Sequence, residues 1–440
     1  KVNHGNDLSE SFALMGLSAA IVPADSGCGY VFSGVFPDLS ADAGSYDSYD
    51  FTKIVKLVKP LTKYGIPAIF QAKFGAGKTS CAEINGVVTG SPPDDPSLWA
   101  DVAFGVLSHL TAGAIQWKPQ NLNVKYALFW DDPFGKGGYE KGQFIQAVND
   151  YFTFAKRVKK GLNLLKVGGI STVVNGIESL SGGGDETMRF IGEMASAKSI
   201  PFDALVYSSR GATPFEHLGI AKRLKDELDG SGLGGVEMID AAASINEDVW
   251  KSVIFDGIRS RSAYAGACFS VVKILSGGLL ALFVPERNSG MKIFDEYGSF
   301  KAEDLFFDDK GVMLPAALSF VPFMLAAGEK NMLLEPVMEG GAVSTDGEGI
   351  ALLAAKSPEG IHMIAAACYP DGEAKLSYNL RFKGAESFKQ GKFYRAVVDK
   401  YSEDFHYSET GKIVVVNGKF EFVRDIDNYS VQYVKFELAE

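Results

Sequence analysis

The sequence predicts an α/β fold: a (β/α)₈ TIM barrel with a C-terminal β-sandwich domain. Two textures and one length predict it. Up to about residue 330 short apolar runs alternate with helical patterns. From residue 331 closely spaced strand-like runs take over. The 440 residues are enough for one large domain and a small one. The expected division is therefore a catalytic-type barrel over residues 1–330 and a sandwich over residues 331–440.

The barrel strands are expected at Phe12 to Leu17, Ala19 to Val22, Ala68 to Gln71, Tyr126 to Trp130, Leu164 to Gly168, Ala204 to Tyr207, Val236 to Asp240 and Leu279 to Val284. Helical patterns lie between most of them. Ile54, Val55, Val58 and Leu61 recur at helix spacing, as do Val102, Val106, Leu107 and Leu110. Phe144, Val148, Tyr151, Phe152, Ala155 and Val158 do the same. Strands separated by helices imply a parallel sheet, and this number suits a closed barrel. The first two candidates lack a full helix between them.

In the sandwich, strands are expected at Ile350 to Ala355, Ile361 to Tyr369, Lys375 to Phe382, Phe393 to Val398, Ile413 to Val416, Lys419 to Phe422 and Val431 to Leu438. Val416-Asn417-Gly418-Lys419 reads as a tight hairpin, because Asn-Gly tolerates the positive φ of a type I′ turn. No internal repeat or low-complexity linker separates the two regions, so the sandwich is expected to pack on the barrel.

Composition narrows the function. A net charge of −11 argues against a nucleic-acid or anionic-membrane partner, since neither offers counter-charge. No apolar run is long enough for a membrane span. The polar start, Lys1 to Ser9, lacks a signal-peptide core, so the chain is expected either to be cytosolic or, secreted or periplasmic, to have lost its signal. Cys268 and Cys368 sit in apolar segments and are expected in the core, whereas Cys28 and Cys81 lie in Gly-containing loops where a disulfide remains open. The five histidines are scattered without metal-binding spacing, and no metal or other cofactor is expected. Phe74-Gly75-Ala76-Gly77-Lys78-Thr79-Ser80 resembles the end of a phosphate-binding loop. Ala72 stands where that pattern needs Gly, and no long helix is expected after Thr79, so a loop over the barrel mouth fits better.

Chemistry concentrates at strand ends. Trp130-Asp131-Asp132-Pro133 follows the apolar run Tyr126-Ala127-Leu128-Phe129. A carboxylate there would stand on the catalytic rim of a barrel, although the same residues also suit an Asp-Pro turn capping the next helix. Asp240 ends Val236-Glu237-Met238-Ile239-Asp240, and Glu286 follows the expected last barrel strand. Side chains alternate along a strand, so Glu237 and Asp240 point oppositely, and Asp240 is nearer the rim. Two carboxyl groups across one sugar bond are the minimum equipment of most glycosidases. Trp130, Phe129, Trp117 and Tyr207 either stack on sugar faces or pack in the core.

Several stretches resemble glycoside hydrolase family 39, which includes β-xylosidases, α-L-iduronidases and exopolysaccharide-cleaving endoglycosidases. Val35-Phe36-Pro37-Asp38-Leu39-Ser40-Ala41-Asp42 with Ser48-Tyr49-Asp50-Phe51 looks like the family's entry to its second barrel helix. Pro92-Pro93-Asp94 with Trp99 resembles the start of the helix before the acid/base strand. Leu164-Leu165-Lys166-Val167-Gly168-Gly169 is similar to a family strand, Pro201-Phe202-Asp203 precedes the next one, and Ser430-Val431-Gln432-Tyr433-Val434 resembles the last sandwich strand. The resemblance implies a clan-A barrel with a β-sandwich, a carbohydrate substrate and two catalytic carboxylates.

The site departs from the family pattern. Asp131-Asp132-Pro133 stands in place of Asn-Glu-Pro, so Asp132 takes the acid/base position. Ile239-Asp240-Ala241-Ala242 matches the nucleophile region, which leaves Asp240 as base or nucleophile, or Ala241 with the function lost. Of an Arg-x-His-Asp stretch only Asp25 remains, and Ser208-Ser209 replaces Trp-His. Trp130, Asp131, Asp25, Tyr207, Glu286 and Arg287 are the candidate sugar-binding residues. An Asp carboxyl sits roughly 1.5 Å closer to the backbone than that of Glu. Two such changes would widen a retaining gap by about 2–3 Å, into the range of inverting enzymes. The expected function is thus hydrolysis of an oligo- or polysaccharide with Asp132 as general acid. The alternative is a catalytically inactive carbohydrate-binding or scaffold protein on the same fold.

Overall fold

The computed structural model describes residues 13–15, 19–23, 35–38, 40–72, 83–84, 87–88, 92–130, 133–134, 138–181, 185–240, 244–245, 257–275, 306–308, 312–327, 332–334, 350–358, 360–368, 375–382 and 388–439. The first part is the parallel α/β barrel. Among the described residues its sheet holds β1 (Ala20–Pro23), β2 (Ala68–Ala72), β3 (Val124–Phe129), β4 (Lys166–Asn175), β5 (Ala204–Gly211) and β6 (Glu237–Asp240). These strands lie side by side in chain order, each pair parallel, and Ser244–Ile245 adds to β5. Helices α1 (Thr52–Lys63), α2 (Pro96–Leu110), α3 (Phe144–Gly161), α4 (Glu186–Ser196), α5 (Pro214–Gly230) and α6 (Gly257–Leu275) cover the outside. Their starts are written locally. Asp95 accepts from the Ser97 and Leu98 amides at 2.9 and 3.1 Å, with Pro96 opening α2. Thr213 followed by Pro214 begins α5 in the same way.

The expected first strand, Phe12 to Leu17, does not form. Ala13 and Leu14 are helical and Met15 is in a turn. These three are strong helix formers with no β-branched residue among them, so nothing in the segment favours an extended chain. The expected last strand, Leu279 to Val284, lies outside the described residues, as do Cys28, Cys81 and the Phe74–Ser80 loop.

Register sorts the strand residues into two faces. Phe129 packs on Trp99 of α2 and on Tyr151 and Phe154 of α3, with ring centroids 5.0, 5.8 and 6.0 Å away. That face of the sheet therefore meets the helices. Leu128 points the other way, and with Gly168 and Ala204 it fills the barrel interior. Gly168 is needed there. A Cβ would stand 2.6 Å from the Ala204 carbonyl oxygen and 2.9 Å from the Ala204 Cβ.

The C-terminal part is antiparallel. β7 (Met332–Leu334), β8 (Ile350–Ser357), β9 (Gly360–Ala367), β14 (Ser430–Ala439), β11 (Gln390–Val398) and β12 (Glu409–Val414) form one sheet in that order. β10 (Lys375–Phe382) pairs with β13 (Phe420–Asp427) to make the other. Alternation along β9 assigns its two faces. Ile364 and Ala366 join the core shared with the barrel, while Met363 and Ala365 pack with Tyr378, Phe420, Phe422 and Phe436 between the sheets. The Asn417-Gly418 turn forms as read, with φ of 52° and 71° and paired hydrogen bonds between Val416 and Lys419 at 2.8 and 3.0 Å.

Helix α6 joins the two parts. The Tyr264 hydroxyl donates to the Ala212 carbonyl of the barrel at 2.6 Å, and its ring meets the edge of Tyr429 of the sandwich at 5.0 Å. Arg259 donates to the carbonyls of Lys400 and Ser402. Cys268 and Cys368 are buried at this junction as expected. Among the described residues no helix is long and apolar enough to cross a membrane.

The packing at Gly168 gives a direct test. Gly168→Ala forces a methyl group against backbone and should cost about 1–3 kcal/mol, read as a lower thermal midpoint. Gly192→Ala in α4, where a Cβ meets nothing within 4 Å, should be neutral or stabilising by up to about 1 kcal/mol in the same melt.

Candidate functional site

Of the candidate residues, Trp130 directly follows one barrel strand and Asp240 ends another. β3 ends at Phe129, and Trp130 follows in the left-handed region at φ 49°. That conformation is unfavourable for a bulky residue by roughly 1–2 kcal/mol, so the surroundings must hold it. They do so from both sides. The Trp130 amide donates to the Ala72 carbonyl of β2 at 2.9 Å, and the Tyr139 amide donates to the Pro133 carbonyl at 2.6 Å. The Trp130 ring, 1% exposed, meets the edge of Tyr139 at 5.3 Å. The Tyr139 hydroxyl in turn donates to buried Asp150 of α3 at 2.7 Å. Burial raises the pKa of Asp150, and the Tyr139 hydrogen bond opposes that rise. Both ends of the Asp131-Asp132 pair are thus anchored, while Asp131 and Asp132 themselves, with Asp25, Glu286 and Arg287, lie outside the described residues.

Asp240 ends β6 and is 2% exposed. Its register partner is Tyr207, on the face of β5 that meets the helices. One carboxylate oxygen accepts from the Ser209 amide at 3.1 Å, and the other accepts from the Ser209 hydroxyl. The Ser209 oxygen also lies 2.6 Å from Nδ1 of His217, in the first turn of α5. The hydroxyl proton goes to the carboxylate, so Nδ1–H of His217 is the donor to Ser209, and Nε2 carries no proton. Among the described residues that Nε2 finds no hydrogen-bond partner. Burial pushes the His217 pKa down to about 4, which keeps the ring neutral.

This geometry corrects two readings of the sequence. The carboxylate of Asp240 faces Ser209 and α5 and not the barrel interior, because a three-residue step from Glu237 puts it on the helix side. Tyr207 shares that face and is a core residue, not a sugar platform. Phe129 and Trp117 are buried in the same core, Trp117 against Tyr49 and Phe104. Glu237 does face the interior, but at the opposite end of the barrel. There it accepts from the Tyr126 hydroxyl at 2.6 Å and pairs with Lys166. Burial opposes ionisation of Glu237, yet the hydrogen bonds and charge of these partners hold its carboxyl below the usual value.

Interior-facing polar groups near the mouth are Gln71 of β2, in register with Leu128, and Ser208 of β5. Neither Gln71 nor the Ser209–His217 pair stands out in the sequence. A lone Gln in an apolar strand was the available signal for the first. Nothing local links Ser209 to residue 240, since their contact spans 31 positions.

No protein-family model and no curated protein matches the sequence. Solved structures do. A glucosidase from Croceicoccus marinus superposes with a TM-score of 0.73 at 16% identity, covering 99% of this chain and 93% of that one. A GH39 enzyme from Xanthomonas axonopodis pv. citri gives 0.64 at 13% identity, covering 100% and 96%. A GH39 β-xylosidase from Caulobacter crescentus gives 0.64 at 14%, covering 98% and 91%. The fold is that of the family 39 glycoside hydrolases. The likeness spans barrel and sandwich together. β6 ends at Asp240, and its side-chain orientation there differs from the one expected from the sequence.

The buried His217 fixes a pH response. In the unfolded chain it takes a proton near its ordinary 6.5, but in the fold only near 4. Its contribution is complete above pH 6.5 and is lost as pH falls toward 4, by up to about 3 kcal/mol. Thermal midpoints should drop across that window, and His217→Gln, which cannot titrate, should show a shallower decline.

Proposed function

We propose that this protein is a glycoside hydrolase acting on an oligo- or polysaccharide, with Asp132 as general acid. The observation that carries the reading is the end-to-end likeness to glycosidases across both barrel and sandwich, with an acidic pair at the end of β3. The anchoring of Trp130 and Pro133 supports it, since a catalytic acid needs a fixed backbone. A carboxyl in that loop donates its proton to the glycosidic oxygen as the bond to the anomeric carbon breaks. A second carboxylate must then receive a proton from water or attack the sugar. Asp240 can serve only if its side chain turns from the helix side, where it meets Ser209, toward the mouth. Glu286 is the other acidic residue that the sequence sets at a strand end.

One observation favours a second reading. Both oxygens of Asp240 are engaged by Ser209 on the helix side of the sheet. A barrel with a single working carboxylate at its mouth would bind carbohydrate without cleaving it.

A polysaccharide screen for released reducing ends separates the two. The hydrolase reading expects activity in the wild type and a loss of about 10²–10⁴-fold in Asp132→Asn. Whichever of Asp240→Asn and Glu286→Gln loses as much identifies the second carboxylate. Binding of a glycan with no release of reducing ends would establish the binding reading instead. Neither binding nor hydrolysis across the screen would refute both.

A further inference from the structure

Gln71 is the penultimate residue of β2 and is 3% exposed. It pairs in register with Leu128, whose side chain lies in the barrel interior beside Gly168. The neighbouring positions Phe70 and Ala72 pair with Ala127 and Phe129 and so point to the helices. The Gln71 amide is therefore aimed inward, at the mouth end of the barrel. The next residue, Ala72, accepts the Trp130 amide, which sets Gln71 beside the strand end that leads to Asp131 and Asp132. Among the described residues the Gln71 Nε2 has no hydrogen-bond partner.

A buried amide nitrogen without an acceptor is destabilising, and the flanking side chains on this face, Ile69 and Leu128, are apolar. A Met or Leu at position 71 would pack there without that cost. An amide retained in such a place is explained if a ligand supplies the missing acceptor. We propose that Gln71 is a substrate-binding residue, its Nε2 donating to a hydroxyl oxygen of a neutral sugar unit seated in the barrel mouth. An amide carries no charge, and the chain is strongly acidic, so a neutral ligand fits better than an acidic one. The inference rests on the carbohydrate reading given above and adds to it a named contact on a strand the acidic residues do not occupy.

The test uses the full chain, its Gln71→Met variant and five probes: glucose, xylose, arabinose, cellobiose and xylobiose. Calorimetry gives affinity, and thermal melts give stability of the free proteins. At least one probe binds the wild type, and Gln71→Met weakens it by about tenfold, the worth of one good hydrogen bond. Gln71→Glu, which keeps the shape but loses the donor, weakens it similarly. The free Gln71→Met protein melts about 1–3 °C higher than wild type, because the unpaired nitrogen is gone. Equal affinity of wild type and Gln71→Met for a probe that binds overturns this inference and leaves the carbohydrate reading standing. A lower melting point for free Gln71→Met also overturns it, since the amide would then be a structural partner. Failure of every probe to bind the wild type removes the neutral-sugar assignment, and the polysaccharide screen separately decides whether the carbohydrate reading falls with it.

Discussion

A strand in this barrel is covered on both faces, by helices outside and by other side chains within, so every polar group it carries must find a partner inside the protein. Most of the site follows from that constraint. On the helix side the Asp240 carboxylate is satisfied by Ser209, and Ser209 is satisfied by His217. On the inner side Glu237 is satisfied by Tyr126 and Lys166 at the far end. Gln71 faces inward at the mouth end with an unmatched nitrogen. Polar groups that close on themselves stabilise the barrel; among the described residues the Gln71 Nε2 does not close, and it is the one on the inner face at the mouth, where the proposed ligand would supply its acceptor.

The strand that leads to Asp132 is built differently. Phe129 is buried among Trp99, Tyr151 and Phe154, and a ring so placed contributes roughly 2–3 kcal/mol of burial. Directly after it Trp130 turns into the left-handed region, held by β2 on one side and by the Tyr139–Asp150 pair on the other. A tightly packed strand and a conformationally costly turn stand next to each other there. That pairing suits a segment whose backbone must present short acidic side chains at a fixed place.

The sandwich contributes through α6. A helix buried on nearly all sides must have partners on nearly all sides, and α6 meets the barrel through Tyr264 and Ala212 and the sandwich through Tyr264 and Tyr429. The antiparallel strands were readable because inner and outer residues alternate and because Asn417-Gly418 admits few turns. The helices α1, α2 and α3 were readable from their spacing. The segment from Phe12 to Leu17 misled because apolar residues in a short run suit helix and strand alike.

By itself the sequence determined most kinds of elements, their order, the change from parallel barrel to antiparallel sandwich, and the position of Asp240 at a strand end. Those depend on periodicity, turn chemistry and composition, which are local. Only the tertiary structure decided which way Asp240 points, that Tyr207 belongs to the core, that Ser209 and His217 meet Asp240, and that Gln71 faces the interior. Each of those outcomes depends on register between strands far apart in the chain, and a one-residue step in register moves a side chain from one face of a sheet to the other.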